Sequence, residues 1–271
     1  DIITTMIIPT ITNIPTITNI PTITNIPIPM ITSMPIDEVT WSGTWLAGLI
    51  QTTDSLFPSG GYAHSYGLEE MVALGRIKDE NDLESFLTEE ILPSLADLEL
   101  PYLIFCQEAA EARDQDELLD LNEEISAWKL TREIREAGHS QGLQMLRMID
   151  QLYPDEWAGS FCRELRERSL PCQQITATAI LRHLQGVPQS ASMTAWVYQA
   201  VSNFCSASIK LLRLGEVACQ KIIGNCLCEE ELQTILSRAT RVSRDQAGWF
   251  NPLLDLASAR HELAFSRLFI S

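Results

Sequence analysis

From Asp37 onward, apolar residues recur at three- and four-residue steps, a period that predicts helices along the body of the chain. Thr44 to Thr53 reads as a short apolar helix, followed by the turn-forming Pro58-Ser59-Gly60-Gly61. Ser65 is placed to cap a second helix starting near Tyr66. Glu69 and Glu70 then fall in its first turns, where carboxylates suit the positive helix end. Helices are expected over Asp82 to Ile91, Pro101 to Ala112 and Asp116 to Leu152, the last one long. In that long helix Leu130, Ile134, Ala137, Gln141, Met145 and Met148 share one stripe, and Ile125, Trp128, Arg132 and Arg135 another. Trp157 to Arg168, Thr176 to Leu184, Ser192 to Leu214, Glu229 to Ser243 and Pro252 to Phe269 continue the pattern. No alternating β-branched run follows residue 37, so the predicted fold class is all-α, a single helical-bundle domain over 37–271.

Residues 1–36 differ in kind. "PTITNIPTITNIPTITNIP", from Pro9 to Pro27, repeats one hexapeptide three times. A proline every sixth residue blocks helix and interrupts a strand ladder. An extended, poorly ordered low-complexity tail is expected. A basic start and a smooth apolar block are both missing, so no secretory signal is read here. No stretch reaches the roughly 18 continuous apolar residues of a membrane-spanning helix.

The formal net charge is −17, and between Asp79 and Glu124 the only base is Arg113. Such an excess repels a nucleic-acid backbone and suits docking onto a basic partner surface. Seven cysteines are an odd number in a chain large enough to need no staples, which points to free thiols and a cytoplasmic setting. The four histidines lie far apart, and Cys226-Leu227-Cys228 has no second thiol pair. No metal or cofactor is expected.

One motif points elsewhere. Gly138-His139-Ser140-Gln141-Gly142 matches the G-x-S-x-G nucleophile elbow, and Ala63-His64-Ser65-Tyr66-Gly67 comes close to it. An elbow needs a buried strand ahead of its serine. Ahead of Gly138 stands "KLTREIREA", five charges in nine residues at helical spacing. A serine hydrolase using Ser140 or Ser65 is the enzyme alternative, and an unrelated helical adaptor a third. The preferred reading is a helix-packing site, in which two glycines four apart admit a neighbouring backbone.

Five stretches in order then carry a resemblance: "DSLFPSGGYAHSYGLEE" (54–70), "LELPYL" (98–103), "KLTREIRE" (129–136), "SIKLLRLGE" (208–216) and "LDLASARHELAFSRLFIS" (254–271). Together they resemble the UreF family of urease accessory proteins, over about residues 41 to 271. The resemblance implies an all-α scaffold without enzymatic activity, commonly a homodimer. It would join UreD (also called UreH) and the GTPase UreG on the urease apoprotein for nickel delivery, and has been viewed as regulating UreG. Glu216 departs from the family, many of whose members have Gln there.

The matched positions give the candidate partner-binding residues. They are Gly60, Gly61, Tyr62, Ser65, Tyr66 and Glu69 at the glycine loop, Lys210 mid-helix, and Arg260, His261, Arg267, Leu268 and Phe269 at the C-terminal end. Asn251 suits the N-cap of the closing helix and Pro252 its first position. Leu253, Leu256, Ala257, Ala264 and Leu268 are expected to bury against the body. Whether the C-terminal residues meet a partner or fold back on their own core stays open at this point. Arg241, Arg244 and Arg260 are candidates for an arginine supplied in trans to a GTPase.

Overall fold

The computed structural model describes residues 44–58, 65–261 and 267–269, all within the unit Ser42–Ser271. The 1–36 repeat and Gly60, Gly61 and Tyr62 lie outside the described residues. The fold is all-α, and every regular element among the described residues is helical.

Helix α1 is Thr44–Thr53 and α2 is Leu68–Ala73. Helix α3 runs without a break over 80–112, where a pause near residues 92–100 was expected. Pro93 and Pro101 supply the reason. Each lacks the N–H an α-turn needs, and the chain relaxes into π-turns ahead of them, Leu87–Ile91 and Leu95–Glu99. The Asp97 carbonyl, which Pro101 four residues later cannot serve, accepts the Gly248 N–H at 2.9 Å.

The long helix expected over Asp116 to Leu152 is instead two, α4 (Gln115–Trp128) and α5 (Arg132–Leu152). Lys129 is drawn to Glu99, and Thr131 takes extended backbone. The carbonyls of Lys129 and Leu130 accept from the Arg135 Nη1, at 2.9 and 3.4 Å. Leu130 is consequently exposed, whereas Ala137, Gln141 and Met145 of its expected stripe are buried.

Then follow α6 (Glu156–Glu167), α7 (Gln174–Gln185), α8 (Gln189–Leu211), α9 (Glu216–Cys226), α10 (Glu229–Ala239) and α11 (Pro252–His261). Helix α9 has no counterpart among the expected segments, and α11 ends well before Phe269. Asp79, Asp114 and Asp155 cap α3, α4 and α6 through their side chains. Asn251 caps α11, its Oδ1 accepting from Leu254 N at 3.0 Å.

Helix α7 is the centre. Residues Ile175 to Arg182 are all buried, so it is covered on every side. Helices α3 and α5 pack directly on it. At the second contact an added Cβ on Gly142 would stand 2.1 Å from the Cys172 carbonyl oxygen, and one on Gly138 2.3 Å from Gln173 Oε1. The two glycines of the G-x-S-x-G match thus admit the segment leading into α7.

Candidate partner-docking site

Three chain segments far apart in sequence converge at one end of the body. The first is the turn into α2. Tyr66 and Gly67 both take left-handed backbone, φ 50° and 86°. At Gly67 the fold also lacks room, because a Cβ there would lie 3.1 Å from Leu254 Cδ1 of α11. Ser65 was expected to cap this helix. The N-cap is Gly67, and the hydroxyl of buried Ser65 accepts a long 3.5 Å bond from Glu69 N, one turn further on. The Tyr66 hydroxyl accepts from Gln141 Nε2 at 2.8 Å, and burial pushes its ionisation up to about 12.

The second segment is the start of α5, carrying Glu133, and the third is the end of α11 with the residues beyond it. His261 is buried between two carboxylates. Its Nε2 lies 3.0 Å from Glu69 Oε2 and its Nδ1 2.8 Å from Glu133 Oε2. Carboxylate oxygens accept only, so the imidazole satisfies both when both ring nitrogens carry protons. Glu69 also receives the backbone N–H groups of Leu268 and Phe269, at 2.8 and 3.1 Å. Arg267 Nη1 donates to Glu133 Oε1 at 2.6 Å and Arg260 Nε to Glu70 Oε1 at 2.8 Å. Thr131 and Ser258 pair beneath the clasp at 3.0 Å.

The sequence's site residues are therefore brought together in large part. Glu69, His261, Arg267, Leu268 and Phe269 form one clasp, and Arg260 joins it through Glu70. Lys210 reaches it from α8, with Nζ 5.6 Å from the centre of the buried Phe269 ring, within cation–π range. Glu133 was not singled out from the sequence and Glu70 was read only as a helix-start carboxylate, although both stand in quoted stretches. A pairing across 128 or 190 positions leaves no local pattern.

The expectation that Leu253, Leu256 and Leu268 bury against the body is overturned, while that for Ala257 holds; Ala264 lies outside the described residues. Those leucines are 43%, 57% and 68% exposed, and Phe250 just ahead of α11 is 73% exposed. Leu253 and Leu256, three residues apart in the helix, share an outward face, and Phe250 is exposed just ahead of the cap. The clasp turns His261 and its carboxylates inward, keeps Arg260 and Arg267 at the surface, and leaves Leu253 and Leu256 facing outward.

Other candidates have structural roles. Arg244 grips Glu124 through Nε and Nη2 and Glu117 through Nη1, tying the segment between α10 and α11 to α4. Those contacts hold its guanidinium charge firmly. Arg241 is exposed. Ser140 is an exposed residue in the middle of α5, and the neighbouring His139 faces Ser126 Oγ at 3.3 Å. Of the C-x-C pair, Cys226 is buried and Cys228 exposed. Among the described residues no group of three or more His, Cys, Asp or Glu is arranged to hold a metal ion. No helix among them is long and apolar enough to cross a membrane.

The candidate residues join distant segments of an all-α body, and no strand among the described residues leads into Ser140, so the G-x-S-x-G match lacks the fold context of a nucleophile elbow. Comparison gives the family. The UreF sequence profile matches residues 77–227. A urease accessory protein UreF of Cupriavidus necator is 30% identical over 229 residues, covering 83% of this chain and 97% of that protein. One from Marinomonas sp. is 26% identical over 226 residues, covering 83% and 94%. A bifunctional urease accessory protein UreEF of Bordetella bronchiseptica is 30% identical over 271 residues, covering 90% of this chain and 60% of that protein. The chain belongs to the UreF family. Its role is that of a urease accessory protein acting in urease maturation, and not of a catalyst.

Proposed function

We propose that this protein is the scaffold on which apo-urease meets its nickel-delivery machinery, bridging UreD/UreH and the GTPase UreG as a homodimer. The observation that carries this reading is the clasp. Glu69 and Glu133 hold His261, Arg267 and the amides of Leu268 and Phe269 inward. The same segment leaves Phe250, Leu253 and Leu256 uncovered outside. Exposed large apolar side chains on and just ahead of a well-anchored helix have the character of a protein-docking surface, and we assign them to UreD/UreH.

Tyr66 and Lys210, and from the sequence alone Gly60, Gly61 and Tyr62, are assigned to contact with UreG or the urease apoprotein. The net charge of −17 over the whole chain favours a basic partner. Arg244 is held by two carboxylates and Arg260 by one, so holding UreG in position is favoured over supplying an arginine to its phosphates. Co-expression with a urease operon lacking its own UreF gene tests the reading. Restored urease activity supports it, and an inactive, nickel-free urease despite soluble protein refutes it.

A further inference from the structure

A cavity of about 170 Å³ lies between α3, α5, α8 and the start of α11, apart from the clasp's ion pairs. Trp128, Trp196 and Trp249 stand in its wall, and small residues such as Ser94 and Ala200 leave it open. The Lys129–Glu99 ion pair also lines it. Glu99 is enclosed by the fold, yet 22% of its side chain is accessible, so that area opens into the cavity. Trp196 Nε1 donates to its second oxygen at 2.9 Å.

These features select a ligand. Cavities of about 150 Å³ accommodate a benzene ring, and indole walls favour a planar partner. The two charges already neutralise each other, so a charged guest would leave one charge unpaired in a poorly solvated space. A neutral head group with both a donor and an acceptor matches an ion pair: its N–H donates to Glu99 and its carbonyl accepts from the Lys129 ammonium. We propose that this cavity is a binding site for a small neutral aromatic carboxamide, of which benzamide is the simplest.

Thermal-shift and calorimetric titrations of the full chain with benzamide, benzoate, benzylamine and toluene test it. Benzamide is expected to raise Tm saturably with one site per chain, and the two charged analogues to bind at least about tenfold more weakly. Ala200→Leu should fill the space and abolish binding while the helical spectrum persists. Glu99→Gln, which frees the Lys129 charge and keeps the volume, should reverse the preference toward benzoate, and this readout stands if Ala200→Leu fails to fold. No saturable response to benzamide, an equal response to all four probes, tightest binding by toluene, or an unchanged preference in Glu99→Gln overturns the proposal.

Discussion

The Glu69 carboxylate accepts the backbone N–H of Phe269 at 3.1 Å, joining positions 200 residues apart. The same carboxylate holds Leu268 N and His261 Nε2, so one side chain near the start of the body fixes the described end of the chain. Backbone amides near a chain end are ordinarily left to solvent and fray. Here they bond to a partly buried acid, which makes Glu69 the key of the clasp.

Glu69→Ala should therefore free the C-terminal residues without melting the bundle. Three hydrogen bonds to a partly buried carboxylate disappear together, and a loss of about 1–3 kcal/mol is expected. Hydrogen exchange reads the effect directly: the Leu268 and Phe269 amides should lose protection while those of α7 keep theirs. Protection unchanged at 268 and 269 would count against the clasp.

The G-x-S-x-G match is a packing device, and two substitutions separate packing from chemistry. Gly142→Ala sets a methyl 2.1 Å from the Cys172 carbonyl oxygen, so α5 and the segment entering α7 must part. Its urea midpoint should fall by the equivalent of about 1–3 kcal/mol. Ser140→Ala, on the exposed face of α5, should stay within about 0.5 kcal/mol of the parent. Fluorophosphonate probes should label neither Ser140 nor Ser65.

Thiol reactivity should follow burial. Burial pushes the Cys106 and Cys205 thiols up to about 12 and Cys226 up to about 11, and Cys172 also rises well above the usual thiol value of 9.0. Cys228 is exposed at the start of α10. Maleimide at pH 8 should modify Cys228 first, Cys162 more slowly, and the five buried thiols, Cys219 included, only on unfolding. Mass spectrometry of tryptic peptides orders them.

Acid should act partly through Glu99 and Glu124. Burial alone would push the Glu99 carboxyl up, but Lys129 and the Trp196 indole N–H outweigh it and hold the group below its ordinary 4.5. Arg244 does the same for Glu124. A carboxyl lowered on folding adds stability that is complete above about 4.5 and is lost as pH falls through its lower folded value. Glu99→Gln should flatten the stability curve below pH 4.5 and leave its shape above pH 6 unchanged, as followed by Tm against pH.

Much of the fold was legible because helical periodicity is local. Asn251 caps α11 as its residue type and place suggest, and α1 spans the segment its apolar pattern marks. What failed was set by distant partners. Lys129 breaks the long helix because Glu99, thirty residues earlier, draws it away. Pro93 and Pro101 read as helix ends, yet π-turns absorb the missing donors and Gly248 takes up the Asp97 carbonyl. The clasp was half legible. Family-like stretches marked Glu69, His261 and Arg267, but Glu133, which binds both His261 and Arg267, carries no spacing signal. Leu253 and Leu256 looked like core by type, and their exposure emerges only from how α11 lies on α2 and α5.

Under the proposed function, the outward face of α11 docks a partner accessory protein while the clasp anchors that helix from behind. Co-purification of tagged UreD/UreH with the Leu253→Asp/Leu256→Asp variant tests this most directly, since both side chains already face solvent and their loss leaves the body folded. An unchanged circular dichroism spectrum and Tm together with loss of the complex is the predicted result. A complex recovered in parental yield from the doubly substituted protein would contradict it.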